Sequence, residues 1–78
     1  MNFSRHVKNR MRKFRLTQKD VEQAVNTPDV VEDEIKGRKN AWKRHYDCYI
    51  KVTYIIEESN TIIITATLKE QCPKELNK

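Results

Sequence analysis

His6, Arg10 and Lys13 lie four and three residues apart near the N-terminus of a 78-residue chain, and they bring an imidazole, a guanidinium and an ammonium together. Histidine changes charge between about pH 5 and 8 and so can move a proton near neutrality, while arginine and lysine hold phosphate oxygens. Metal-free cleavage of RNA needs a base for the ribose 2′-OH, an acid for the departing 5′-oxygen and cations around the phosphorane. These three side chains have the right types. A second group follows in Lys43, Arg44, His45, Tyr49 and Lys51. The catalytic candidates are therefore His6 and Arg10, with His45 as the second histidine. Lys13, Lys43, Arg44 and Lys51 are candidates for holding an RNA backbone, and Tyr49 or Tyr46 offers a ring on which a base can stack. Other chemistries lack their residues. There is no serine-nucleophile motif, no glycine-rich phosphate loop and no carboxylate pair beside a histidine. Cys48 and Cys72 are too few for a disulfide scaffold or a zinc site, so neither a metal nor another cofactor is expected.

These side chains need elements to position them. Phe3, Val7, Met11 and Phe14 recur at four, four and three, the spacing of one helical stripe. At 100° per residue they span about 80°, with Arg10 just outside and His6 and Lys13 further along the same border. Arg10 so placed could alternatively pair with Glu22 or Glu32. Thr17 as N-cap, Asp20 three residues on, and Leu16 with Val21 as a hydrophobic staple announce a second helix over residues 18–26. It ends before Thr27-Pro28, because the residue preceding proline is disfavoured in the α region.

After Pro28 the pattern is that of strands. Residues 30–35 form a weak acidic strand ending at Lys36-Gly37, where the single glycine suits a turn position with positive φ. Residues 38–46, 48–57 and 61–69 read as further strands, giving three to four antiparallel strands. A three-residue loop at 58–60 with Asn60 left-handed pairs Ile56 with Ile62, Tyr54 with Ile64, Val52 with Ala66 and Ile50 with Leu68. That makes one apolar face for the helices to cover. For residues 38–46 a three-residue turn at Asp47 puts Trp42, Arg44 and Tyr46 on the covered side, and a two-residue turn puts Ala41, Lys43 and His45 there. The first is preferred because it buries the tryptophan. The expected fold class is α+β, with two N-terminal helices on one face of the sheet. Residues 1–70 form a single domain and 71–78 a tail.

At this length the core is thin, since so small a chain buries only about 60% of its unfolded surface or slightly more. A hydrophobic content of 37% still excludes a disordered tail. No stretch approaches the roughly 18 apolar residues of a membrane span, so a cytoplasmic protein with no membrane partner is expected. The net charge of +5 is a sum of blocks: residues 3–15 carry +6, residues 17–35 carry −5 and residues 36–51 carry +5. If folding joined the two basic blocks on one surface, that surface would suit a phosphate-bearing partner.

The order His6, Arg10-Met11, a break with Thr17, Pro28-Asp29, Gly37-Arg38, Val52-Thr53-Tyr54 and Ile64-Thr65 resembles a family of small bacterial and archaeal domains of unknown function related to the RelE and BrnT toxins. The likeness runs over roughly residues 3–69. One departure is that the family pattern often has Arg-Gly where this chain has Phe14-Arg15. The resemblance implies the RelE-like microbial ribonuclease architecture and a toxin that cleaves mRNA, free or ribosome-bound, through attack by the 2′-OH. It also implies a cognate antitoxin as partner; the chain itself is expected to be a monomer or small homo-oligomer. The same fold used as a non-catalytic nucleic-acid- or protein-binding domain is the alternative.

Overall fold

A computed structural model describes residues 1–70; the expected tail at 71–78, with Cys72, lies outside them. The chain runs β1 (Asn2–Phe3), α1 (Arg5–Lys13), α2 (Gln18–Asn26), β2 (Val30–Asp33), a 3-10 turn (Ile35–Gly37), β3 (Lys39–His45), β4 (Cys48–Glu57) and β5 (Asn60–Lys69). The sheet order is β1-β5-β4-β3-β2. Two helices on a sheet were expected, but five strands form it rather than three or four. It is mixed, because β1 runs parallel to β5 through Asn2–Ile62 and Phe3–Ile63. The cause is at Ser4. Its hydroxyl caps α1 by accepting the Val7 N–H at 3.2 Å, so the helix starts after Phe3 and leaves that residue free to pair as a strand. Phe3 still packs on the core, which is why its apolar spacing looked helical.

The second helix follows its sequence signals. Thr17 and Asp20 complete a capping box at 3.1 and 3.0 Å, and Leu16 and Val21 are both buried. Val7 and Met11 of α1, with Val21 and Ala24 of α2, cover Ala41, Ile50, Val52, Tyr54, Ile63 and Ala66 of the sheet.

Two registers differ from expectation. At the β4–β5 turn only Glu58 and Ser59 form the loop, at φ 49° and 69°, and Glu57 pairs with Asn60. Both turn residues are left-handed, as in a type I′ hairpin turn. The pairs nearest the turn are thus Ile56–Thr61 and Tyr54–Ile63, in place of Ile56–Ile62 and Tyr54–Ile64. A bulge then inserts Ile64, since Tyr54 pairs with Ile63 while Thr53 pairs with Thr65. This extra residue restores Val52–Ala66 and Ile50–Leu68, as the apolar pattern requires. Ile63 is the buried isoleucine of β5, and Ile56 is 59% exposed.

At the β3–β4 turn, Tyr46-Asp47 is a two-residue loop with His45 opposite Cys48. Ala41, Lys43 and His45 therefore share the helix-covered face, and Trp42 and Arg44 lie on the other. The expectation for Trp42, Arg44 and Tyr46 is corrected. Tryptophan burial does not need the helices here: Trp42 is 8% exposed on the open face, with Lys51 across its ring and Glu32 at its indole N–H. Small Ala41 lies under the helices instead. The acidic strand stops at Asp33, and Ile35 enters the turn where Lys36 and Gly37 take φ 63° and 75°.

Candidate functional site

The helix α1 contains no acidic residue. His6, Asn9, Arg10 and Lys13 recur at three, one and three, which puts them on one stripe of the helix beside the buried Val7 and Met11. They line a single open depression of about 380 Å³. Arg10 is half-buried, whereas His6 and Lys13 are exposed. The Lys13 ammonium stands 5.8 Å from the centre of the Phe14 ring. Among the described residues the ion pair is Lys39–Asp33 at 3.3 Å. Glu32 accepts the Trp42 indole N–H at 2.7 Å rather than meeting Arg10. Among the described residues, therefore, no carboxylate pairs with the guanidinium. Asn9 was missed by sequence reasoning, although its position one turn from His6 and Lys13 was a sufficient signal; its amide adds a donor and an acceptor to the depression.

The second basic group does not join this stripe. Arg44, Tyr49 and Lys51 lie on the sheet face opposite the helices. There the Arg44 guanidinium lies 5.9 Å from the Tyr49 ring centre and the Lys51 ammonium 5.4 Å from that of Trp42. Below them a polar chain is fully paired. Thr53 Oγ1 donates to Asn40 Oδ1 at 2.6 Å, and Asn40 Nδ2 donates to the Glu34 carboxylate.

Lys43 is on the covered side and donates to the Thr27 carbonyl at 2.9 Å. It binds the end of α2, where a cation also meets the negative end of the helix dipole. His45, the last residue of β3, stacks edge-on against Tyr46 with ring centres 4.7 Å apart and does not line the depression. Of the second basic group, Arg44 and Lys51 thus lie on the sheet face away from α1, and Lys43 lies at the end of α2. Among the described residues no three His, Cys, Asp or Glu side chains converge on a position for a metal ion.

The depression offers one imidazole, one guanidinium, one ammonium and one amide, a set suited to an anionic phosphodiester and a single proton transfer. Residues 3–67 match the model of a protein family described as a domain of unknown function (DUF4258). No curated protein and no solved structure matches the chain.

Proposed function

Because this chain belongs to the DUF4258 family, whose name assigns no activity, its role rests on its own residues, and we propose that it is a ribonuclease toxin acting at the α1 depression. The proposal includes kinship to the RelE and BrnT toxins, a RelE-like architecture, mRNA as substrate and an antitoxin as partner. The observation that carries it is that His6, Asn9, Arg10 and Lys13 line one depression.

In the proposed reaction His6 takes the proton of a ribose 2′-OH and the freed oxygen attacks the adjacent phosphorus. The 2′-O–P bond forms as the P–O5′ bond breaks. Arg10 and Lys13 neutralise the non-bridging oxygens as charge builds on them. The departing 5′-oxygen takes its proton from water, and the upstream fragment ends in a 2′,3′-cyclic phosphate. Asn9 fixes the nucleotide through its amide.

The test is to incubate the purified protein with end-labelled RNA in EDTA and identify the ends of the fragments. Cyclic phosphate ends support the proposal. No cleavage of free or ribosome-bound RNA overturns it. One observation favours the alternative of a non-catalytic binder: the second histidine lies outside the depression, so acid and base cannot be two imidazoles there. A protein that binds RNA without cutting it would establish that reading.

A further inference from the structure

The two edges of the sheet are protected very differently. At one, β2 is four residues long and includes Glu32 and Asp33, the short, charged kind of edge that resists further pairing. At the other, β1 pairs with only Ile62 and Ile63 of the ten-residue β5. Among the described residues no strand or turn hydrogen-bonds the outer side of β5 from Thr65 to Lys69. In an antiparallel pair every second residue turns its N–H and C=O away from the partner, so this run of about 17 Å presents both donors and acceptors. Residues 61–68 contain no charge, proline or glycine, and the bulge at Ile64 comes before the open run. The strand thus carries none of the usual guards against pairing.

We infer that the outer edge of β5 over Thr65–Lys69 takes up an extended acidic segment of a partner protein, added to the sheet as a further strand. This goes beyond the proposed ribonuclease and does not rest on it. The two faces of the edge set the partner's side chains. On the face away from the helices Lys69 stands on the edge itself, Lys51 lies one strand in, opposite Thr67, and Arg44 two strands in, across Tyr49. Residues 40–44, 49–53 and 65–69 contain no acid, and among the described residues none of these three cations is in an ion pair. Alternate carboxylates of an added strand would therefore meet uncompensated positive charge. On the helix side Ala66 is buried and Leu68 half-buried against the core, so the intervening residues of the partner are apolar. A peptide suits the edge better than RNA, because a phosphodiester accepts hydrogen bonds but offers none to the strand carbonyls. A second copy suits it less, since pairing β5 with β5 joins two basic faces of a chain already at +5.

The probe is a fluorescein-labelled octapeptide alternating Glu and Val, with the Lys-Val octapeptide as control. The full-length chain should bind the first and not the second, and binding should slow hydrogen exchange at alternate amides between Thr65 and Lys69. Two further Glu-Val peptides are N-methylated, one at every Glu and one at every Val. Only one set of amides faces the edge, so one of these should lose binding and the other keep it. Lys69→Glu should weaken binding by about 2- to 30-fold, the range for turning a cross-strand pair into a like-charge one. Lys69 is exposed, and the fluorescence of the buried Trp42 reports that the variant is folded. Equal binding of the Glu-Val and Lys-Val peptides, binding by both N-methylated peptides, or no binding of the Glu-Val peptide up to about 1 mM overturns the inference. Slow exchange of the same amides in the free protein also overturns it, assigning the edge to a second copy if sedimentation shows a dimer and to the chain itself if it shows a monomer. Protection of those amides by a 2′-O-methyl oligouridylate in place of the peptide would assign the edge to RNA and overturn it as well.

Discussion

The backbone at Arg15 makes a quantitative prediction. Phe14 closes α1 and Arg15 follows at φ 58°. The Arg15 N–H donates to the Arg12 carbonyl at 3.1 Å, and the Leu16 N–H donates to the Met11 carbonyl at 2.8 Å. These are the two bonds of a Schellman motif, whose left-handed position is usually glycine. A Cβ there is crowded by the following carbonyl, at a cost of about 1–2 kcal/mol, and glycine removes that cost while losing roughly 0.5–1 kcal/mol of chain entropy. Arg15 also places a cation at the helix C-terminus, worth about 0.3–1 kcal/mol. Arg15→Ala loses the cation and keeps the Cβ; Arg15→Gly loses both. Comparing the two variants isolates the backbone effect. Glycine should be more stable than alanine by about 0.5–1 kcal/mol, equivalent to about 2–8 °C in Tm for a chain of this size. Urea denaturation followed by Trp42 fluorescence and by helical circular dichroism measures this. An alanine variant as stable as the glycine variant, or more stable, would refute the reasoning.

Other variants test other links. Asn40→Ala leaves the buried Thr53 hydroxyl without its acceptor and should cost about 1–3 kcal/mol, whereas adding Thr53→Val should recover part of that loss, as measured by a double-mutant denaturation series. Lys43→Met removes the bond to Thr27 at the end of α2 and should cost about 0.5–1.5 kcal/mol, with faster hydrogen exchange in the last turn of that helix. RNA affinity should fall as salt rises, with a log–log slope of about −0.7 for each phosphate neutralised on a single strand. Arg10→Gln should make that slope shallower, and titrations at several salt concentrations would show it.

The second helix was legible almost residue for residue because its limits are set locally, by the Thr17–Asp20 box and by Thr27-Pro28. The start of α1 was not, since Phe3 serves the same core from a strand and only the Ser4 cap decides between the two. The β4–β5 hairpin shows a limit of a different kind. The apolar pattern correctly required Val52 opposite Ala66, but a pattern cannot distinguish a longer loop from a short loop with a bulge. Trp42 misled because burial was equated with the helix side, whereas Glu32 and Lys51 bury it on the other face. At the candidate site the helical stripe of His6, Arg10 and Lys13 was readable from spacing alone. That Lys43 and His45 lie on the helix-covered face while Arg44 and Lys51 lie on the other depends on the length of the β3–β4 turn, which the residues at 46 and 47 left ambiguous.

The most direct test of the account is the rate of RNA cleavage in EDTA by wild type, His6→Ala and His45→Ala compared side by side. Proton transfer by one positioned group contributes about 10²–10⁴-fold, so His6→Ala should lose at least about 100-fold while His45→Ala keeps a rate within several-fold of wild type. Equal rates for wild type and His6→Ala, or no cleavage by any of the three, would contradict it.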